Sequence, residues 1–277
     1  MDREQSPVDW QGLRDKARAI RRHIVTSTTA AGSGHPTSSL SAVEIVVALY
    51  FGGILRYDPR RPDWPDRDRF ILSKGHAAPL LYAVLAEAGY FPVEQLQTLR
   101  RLGSPLEGHP NMRRLPGVEA STGSLGQGLS IGLGHALAAR LDGRNYRVFV
   151  LLGDGEINEG QVWEAVMAAV KFRAGNLVAL IDHNGYQQTG PTREVMDLDP
   201  LVPRFAAFGW QALEVDGHDV PTLWNALRSA GVQSPAPTAI VCRTIKGYPI
   251  ADLLAEANYH GKPLSPAEAE KALARIG

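Results

Sequence analysis

Short apolar runs recur along the chain and alternate with longer segments in which apolar residues have helical spacing. Five such runs are rich in apolar and β-branched residues: 69–72, 146–152, 176–182, 210–215 and 238–243. Runs of this composition are typical of strands that are buried on both faces of a sheet. The intervening segments that have the length of a crossover helix are 126–141, 159–173 and 220–231. The alternation predicts an α/β fold in which helices flank a doubly wound parallel sheet.

The segment upstream of the first run has a different pattern. Apolar residues at helical spacing predict one helix over 10–31 and a second over 40–52. The sequence GSGHP at 32–36 breaks the pattern and predicts an exposed loop between them. No Gly/Ser-rich linker, repeat or low-complexity tract divides the chain, so residues 1–277 are expected to form a single domain.

The charge balance narrows the classes of function. The 277 residues carry 29 Lys and Arg against 29 Asp and Glu, so the formal net charge is zero. The chain therefore has no excess positive charge that would attract it to nucleic acid or to an anionic membrane. The N-terminus lacks the apolar core of a secretory signal, and no apolar run approaches the roughly 18 residues of a membrane span. The single cysteine, Cys242, lies in an apolar run and is expected in the core, and a cytoplasmic location is the default expectation.

The run 146–152 is followed directly by the loop GDGEINEG. Ligands of parallel α/β sheets bind beyond the carboxyl ends of the strands, and Gly153 and Gly155 stand where a strand turns into a helix N-terminus, a geometry that binds phosphate. Asp154 in the same turn would repel a phosphate, and the sequence has neither a Rossmann nor a P-loop fingerprint. A divalent cation between the carboxylate and the phosphate resolves the conflict.

The run 176–182 ends in HNGYQQTG, which places Asn184 on a neighbouring loop beside Gly185. Amide and main-chain carbonyl oxygens are hard ligands. Mg²⁺ takes about six oxygens, and several of them usually come from water and substrate phosphates. The residues predict a Mg²⁺ site formed by Asp154, Asn184 and a main-chain carbonyl near Tyr186.

These two loops, GDGEINEG and NLVALIDHNGYQQTG, resemble the thiamine diphosphate motif, and the flanking segments are similar to those of the transketolase family. The flanking segments are GSGHP (32–36), DRDRFILSKGHAAPLLYA (66–83), GHP (108–110), GVEASTGSLGQGLSIGLGHALA (117–138) and YHGKPL (259–264). The similarity covers roughly residues 10–264 and keeps the order of the motifs. It implies the fold of a thiamine diphosphate-binding domain.

The resemblance also implies a set of cofactor-binding residues. Those toward the diphosphate and its Mg²⁺ would be His76, Gly153, Asp154, Gly155, Asn184, Tyr186 and His260. Those in TGSLGQG against the aminopyrimidine ring would be Gly123, Ser124 and Leu125. Glu159 would belong to a carboxylate network at a subunit interface.

Catalytic roles are implied in the same way for four histidines, His35, His76, His109 and His260. They would surround the thiazolium ring and the substrate oxygens, with His35 and His109 closest to the substrate. Imidazole suits these positions because it can donate to a developing oxyanion or exchange a proton near neutral pH.

In transketolase-like chains a pyrimidine-binding domain, and usually a C-terminal domain, follow this segment. The pyrimidine-binding domain carries the glutamate that activates the cofactor. Because the sequence stops at Gly277, the resemblance implies an N-terminal subunit whose partner chain supplies that domain and glutamate. Two such pairs would form a heterotetramer, and an exposed apolar face is expected. The implied reaction is ketol transfer, dependent on thiamine diphosphate and Mg²⁺, from a ketose to an aldose, with pentose-phosphate sugars as the default substrates.

Departures from the family pattern leave the substrate open. Ser124 stands where transketolases commonly have Pro, and the segments after Asn184 and before His260 have diverged. The alternatives are a subunit similar to deoxyxylulose-phosphate synthase or 2-oxoacid dehydrogenase, a non-catalytic assembly subunit, and a Mg²⁺-dependent phosphate-ester hydrolase.

Some titratable and apolar residues are expected to have structural roles only. The histidines in this group are His23, His135, His183 and His218. Lys246 in TIKGYP could approach a phosphate, but an exposed loop lysine is the simpler interpretation. Trp163 and Met167 fit the buried face of a helix.

Overall fold

The computed structural model describes residues 8–232, 234–254 and 259–277. Its sheet consists of β1 (Arg69–Leu72), β2 (Val148–Gly153), β3 (Leu177–His183), β4 (Gln211–Asp216) and β5 (Thr238–Arg243). The spatial order is β1-β2-β3-β5-β4, and every neighbouring pair is parallel. The predicted α/β fold with a doubly wound parallel sheet is confirmed, and each strand lies within two residues of its predicted bounds.

Helices connect the strands and cover both faces of the sheet. In chain order they are α1 (Trp10–Ala31), α2 (Pro36–Leu40), α3 (Val43–Phe51), α4 (Ala78–Glu87), α5 (Gln127–Leu141), α6 (Gly160–Lys171), α7 (Thr192–Val195), α8 (Leu201–Ala207), α9 (Val220–Ser229) and α10 (Pro266–Ile276). The predicted crossover helices correspond to α5, α6 and α9. The pattern did not predict α4, whose residues 78–86 are all buried, so that no polar face reveals its period.

Alternate side chains of the central strands belong to two separate cores. Phe149 and Leu151 pack with α1, α3 and α4 on one face, whereas Val148, Val150 and Leu152 pack with α5 and α6 on the other. This alternation follows from the two-residue period of a strand, and it explains why the runs are continuously apolar. Cys242 is fully buried, as expected.

The helix predicted over 40–52 corresponds to α3, which begins three residues later, at Val43, because Leu40 belongs to α2 and the chain breaks at Ser41 and Ala42. The Ser41 hydroxyl donates to Asp182 Oδ2 at 2.6 Å, a contact across the fold that local spacing does not encode. The preceding loop is also less exposed than predicted, since Gly34 and Pro36 are buried. Gly34 has φ +131°, and a Cβ there would lie 2.9 Å from Thr28 Cγ2, so this close approach requires glycine.

Met167 was expected on the buried face of its helix, and this was wrong, because it is 51% exposed. Trp163, on the same helix, is half-buried against Phe205 and Phe208. Leu141 and Phe172, at the ends of α5 and α6, are also exposed. In the described part of the chain, no helix combines the length and the apolarity that a membrane span requires.

Candidate active site

Loops at the carboxyl edge of the sheet enclose a cavity of about 520 Å³, within the size range of cofactor sites. The predicted residues that line it are His35, His76, His109, Gly123, Leu125, Gly153, Asp154, Gly155, Glu159, Asn184, Tyr186 and His260. Ser124 belongs to the same loop as Gly123 but is exposed outside this lining. The fold therefore brings together residues from segments that are far apart in the sequence.

Asp154 follows β2 directly, and its carboxylate joins the loops after β2 and β3. Its Oδ1 accepts the Gly155 N–H at 2.9 Å, and its Oδ2 accepts the Gly185 N–H at 2.6 Å. Burial, together with the nearby Asp182 carboxylate, raises the pKa of Asp154 to about 6. A buried carboxylate in this situation is stabilised by a cation, since a positive charge offsets both the lost hydration and the repulsion.

Asn184 lies in the loop after β3, and its side-chain amide has a fixed orientation. Its Nδ2 donates to Asp182 Oδ2 at 3.0 Å, while its Oδ1 accepts the Tyr186 N–H at 3.1 Å. A carboxylate can only accept, so Asp182 determines which end of the amide carries the hydrogens. The amide oxygen is therefore the end that accepts the Tyr186 N–H, and Asn184 lines the cavity together with Asp154 and Tyr186.

Asp182 itself is fully buried and forms the centre of a polar cluster. It pairs with the buried ammonium of Lys74, and its Oδ1 accepts the Thr244 hydroxyl at 2.5 Å. Burial alone would raise the pKa of this carboxyl, but the Lys74 charge and the hydrogen bonds hold it below its usual value. Asp182 is therefore ionised, and it ties the ends of β3 and β5 together.

The donors at this edge of the cavity fit Mg²⁺. They comprise one carboxylate, one amide oxygen and the potential main-chain carbonyl of Tyr186, all of them hard oxygen ligands. In the ranges that the structure describes, no three His, Cys, Asp or Glu side chains are grouped to hold a metal. A mixed set of this kind suits Mg²⁺, which commonly uses one or two carboxylates and takes its remaining oxygens from water and phosphate.

Three imidazole rings in the wall of the cavity pack against one another. The ring centroids of His35, His76 and His260 are 5.1 to 5.4 Å apart. Burial, reinforced by nearby cations, lowers the pKa of His35 to about 4 and that of His260 to about 3, and it moves the pKa of His76 well below its usual value. At neutral pH each ring is uncharged and offers one N–H and one lone pair.

His109 completes the histidine set from the GHP segment. A Cβ on Gly123 would lie 3.1 Å from His109 Cδ2, so the TGSLGQG backbone passes close to this ring. Burial and the Arg100 guanidinium lower the pKa of His109. It therefore also enters the cavity as a neutral ring at physiological pH.

Glu156 is a buried carboxylate that the sequence analysis did not single out. Its Oε1 accepts the Ser73 hydroxyl at 2.5 Å and the Gly126 N–H at 2.9 Å, and its Oε2 accepts the Gly153 N–H at 3.1 Å. One side chain thus holds together the SKGH, TGSLGQG and GDG segments. In the sequence Glu156 is recognisable only as the acidic residue after GDG. Charged residues in loops are usually solvated, so its burial could not be predicted.

Glu159 is exposed at the rim of the same cavity. Its Cβ lies against Gly126, where a glycine with φ +83° leaves room for it. The position leaves the carboxylate open to solvent, and its predicted role in a network between subunits stays a prediction.

Lys246 was expected to be an exposed loop lysine, and this was wrong. Its residue is 4% exposed, its Nζ lies 3.0 Å from His260 Nδ1, and it lies over the Tyr186 ring at 5.5 Å from the centroid. Burial and the Lys74 charge lower its pKa to about 8. The ammonium therefore lies against His260 and Tyr186, two residues of the cavity wall. Only the alternative interpretation of TIKGYP, an approach to phosphate, agrees with this position.

Gln187 also belongs to the cavity wall and was not predicted. Its side chain packs over the GDG turn, because a Cβ on Gly155 would lie 2.7 Å from Gln187 Cγ. Its Nε2 is buried and has no hydrogen-bond partner within the described residues. A buried donor without a partner at a cavity wall is suited to bind an incoming oxygen atom.

Three of the histidines that were expected to be structural do have partners outside this cavity. His23 pairs with Glu87 at 2.8 Å, His183 with Asp199 at 3.3 Å and His218 with Glu44 at 3.1 Å. None of them lines the cavity described above.

The family model "Transketolase, thiamine diphosphate binding domain" matches residues 13–277. The chain belongs to the transketolase family. Transketolase from Pongo abelii is 45% identical over 267 residues, which are 96% of this chain but 42% of that protein. The chain therefore spans less than half the length of this relative.

A shorter relative from Clostridium sp. (strain MSTE9), a "6-deoxy-6-sulfo-D-fructose transketolase subunit", is 43% identical over 235 residues. The match covers 85% of both chains. Among solved structures, transketolase from Campylobacter jejuni matches with a TM-score of 0.90 and 30% identity, over 97% of this chain and 43% of that one. A transketolase variant from Pichia stipitis matches with a TM-score of 0.89 and 34% identity, over 96% of this chain and 40% of that one. The fold is that of the transketolase thiamine diphosphate-binding domain.

Proposed function

We propose that this chain is the diphosphate- and Mg²⁺-binding subunit of a two-chain transketolase, which transfers a two-carbon unit from a ketose to an aldose. The observation that carries the proposal is the shared cavity in which Asp154, Asn184 and Tyr186 face four neutral histidines. The family assignment argues against the hydrolase and 2-oxoacid dehydrogenase alternatives. A cytoplasmic location stays a prediction from the composition.

In this proposal Asp154, Asn184 and the Tyr186 carbonyl hold Mg²⁺, and the Mg²⁺ holds the diphosphate. The bound thiamine diphosphate supplies the carbanion chemistry that breaks and forms the carbon–carbon bond. Lys246, buried behind His260 and Tyr186, adds a positive charge at the diphosphate end of the cavity. Gln187 offers its buried Nε2–H to a diphosphate oxygen.

The histidines would bind the substrate oxygens and move protons. An ammonium can only donate, so Lys246 Nζ donates to His260 Nδ1, and the ring proton of neutral His260 is then on Nε2. His260 can donate from Nε2 to a carbonyl oxygen that gains negative charge. His35 and His76, which are neutral at physiological pH, can accept a proton from a substrate hydroxyl. Neutral rings suit this role because they can both donate and accept.

The proposed partner carries the pyrimidine-binding domain and its activating glutamate, and two pairs form a heterotetramer. Support comes from the relative named as a transketolase subunit, which this chain covers over 85% of its length. The exposed apolar residues Leu141, Met167 and Phe172 on the side of α5 and α6 agree with a covered surface in an assembly. The substrate would be an anionic sugar, either a phosphate or, as in the name of that relative, a sulfonate.

The test is titration of thiamine diphosphate, with and without Mg²⁺, into the complex purified with its partner, followed by native mass spectrometry. The wild type should bind the cofactor only with a divalent cation, and Asp154→Ala should abolish this Mg²⁺-dependent binding. Asp252→Asn, on an exposed surface pair with Arg275, is the matched control and should bind normally. Cofactor binding that is unchanged in Asp154→Ala would reject the metal site, and a chain that takes up no cofactor with any partner would reject the function.

A further inference from the structure

His218 lies in the turn after β4, outside the cavity, and both of its ring nitrogens are engaged. The main-chain N–H of Ile245 donates to His218 Nε2 at 2.9 Å, and His218 Nδ1 is 3.1 Å from Glu44 Oε2. A main-chain N–H can only donate, so Nε2 is unprotonated. The neutral ring therefore carries its proton on Nδ1 and donates it to Glu44.

Stacking and hydrogen bonds to neighbouring residues fix the orientation of the His218 ring. His218 stacks on Tyr248 with 3.9 Å between ring centroids and 23° between planes. Glu44 is buried and pairs with Arg21, whose guanidinium also lies over the Tyr248 ring. The His218 side chain is only 11% exposed. A ring held in this way presents its Nε2 lone pair to one point of the neighbouring loop.

That point is the N–H of Ile245, in the peptide that joins Thr244 to Ile245, one residue before Lys246. On the other side, the Gly247 N–H donates to the Thr37 carbonyl at 3.1 Å. The Ile245 side chain is 54% exposed and provides little packing of its own. The main-chain N–H groups of Ile245 and Gly247, the residues on either side of Lys246, are therefore held by hydrogen bonds, one to His218 and one to Thr37.

We infer that His218 is a positioning residue that sets the main chain at Lys246 so that its ammonium reaches His260. The inference rests on the proposed function, in which Lys246 supports the diphosphate end of the site. Lys246 Nζ lies 3.0 Å from His260 Nδ1, so a shift of the main chain would lengthen this contact unless the side chain adopted another rotamer. His218 does not line the cavity, and it acts on the loop through the Ile245 N–H.

The experiment measures the dissociation constant of thiamine diphosphate, with Mg²⁺ present, in the complex purified with its partner. His218→Phe keeps a ring against Tyr248 and removes the acceptor, and His218→Gln offers an amide oxygen to the Ile245 N–H. We expect His218→Phe to weaken binding about 3- to 10-fold, in line with the loss of one hydrogen bond. Binding in His218→Gln should stay near wild type, whereas equal losses in both variants would contradict the role of the acceptor.

A double-variant cycle with Lys246→Met separates positioning from general packing. Lys246→Met should weaken binding more than His218→Phe, and the combined variant should bind no more weakly than Lys246→Met alone. Additive losses would overturn the inference, because His218 would then act by a route other than Lys246. Unchanged binding in Lys246→Met would overturn it too, while the Asp154→Ala titration would still decide the proposed function.

A measurement without cofactor gives an independent readout. Hydrogen exchange over residues 244–250 should accelerate in His218→Phe and return toward wild type in His218→Gln. His23→Phe is the matched control, since His23, on α1, makes a similar pair with Glu87, at the end of α4 and away from this loop. Exchange that is unchanged in His218→Phe, or equally accelerated in His23→Phe, would contradict the inference.

Discussion

Asn184 donates its side-chain N–H to Asp182 at 3.0 Å, and this bond determines which end of the amide carries the oxygen. Asp182 can do so because Lys74, Ser41 and Thr244 hold it in place. A carboxylate outside the lining of the cavity thus orients a proposed metal ligand. Positioning of this kind is common around metal sites, where partners of the ligands set their orientation.

Asp182→Asn should destabilise the fold strongly, because it leaves the buried Lys74 ammonium without its countercharge. Removing one partner of a buried pair typically costs about 3–5 kcal/mol of unfolding free energy. Asp252→Asn removes one partner of the exposed pair with Arg275 and should cost at most about 1 kcal/mol. Urea unfolding of both variants measures the difference, and similar small losses would show that the Lys74 pair is not the centre of the cluster.

Gln187→Met should weaken cofactor binding without lowering the stability of the empty chain. The Gln187 amide nitrogen is buried without a partner in the described structure, so its removal relieves an unsatisfied polar group. The melting temperature without ligand should therefore be unchanged or higher, and the increase caused by thiamine diphosphate and Mg²⁺ should be smaller. A variant that keeps the full increase would show that this amide does not bind the diphosphate.

The histidine cluster predicts how stability changes with pH. His35 and His260 have pKa values of about 4 and about 3 in the folded chain, against about 6.5 when unfolded. Between pH 4 and pH 6.5 the unfolded state binds more protons than the folded state. The free energy of unfolding therefore decreases as the pH falls from 6.5 toward 4. Asp154, whose pKa is raised in the folded chain, has the opposite effect, because its protonation stabilises the folded state as the pH falls.

The comparison that isolates the histidines is the double variant His35→Gln/His260→Gln. Its unfolding free energy, measured in urea at several pH values between 6.5 and 4, should fall less steeply with acid than that of the wild type. Parallel slopes in the two proteins would mean that these rings are not held neutral in the fold.

Gly34→Ala should destabilise the chain, since alanine would enter the left-handed region and approach Thr28 Cγ2 at 2.9 Å. Such strain costs about 1–3 kcal/mol. Gly134→Ala is the control, because Gly134 lies in α5 with nothing within 4 Å of the added Cβ, and helix propensity favours alanine by roughly 1 kcal/mol. Chemical unfolding should shift the two variants in opposite directions.

The sequence predicted the fold, and the placement of Asp154 and Asn184 at one edge of the sheet, for a physical reason. Parallel strands end at one edge of the sheet, so Asp154 after β2 and Asn184 after β3 had to be neighbours once the strands were recognised. Strand bounds were one or two residues off where an apolar residue such as Tyr146 is buried without joining the ladder.

The sequence did not predict contacts that depend on distant segments. The buried Lys246 lies between Ile245 and Gly247, whose main-chain N–H groups bond to His218 and Thr37, contacts that local composition does not encode. The break between α2 and α3 lies where Ser41 bonds to Asp182. In both cases a polar contact across the fold determined the local structure.

Glu156 accepts hydrogen bonds from Ser73, Gly126 and Gly153, so three loops of the cavity share one buried carboxylate. If one of these loops moves outward, it must either break its bond to Glu156 or carry the other two with it. The part of the cavity that these loops form therefore behaves as a single rigid block. Relatives that act on sugars of different size or charge would have to vary at other walls of the cleft or in the partner chain, while this block stays the same.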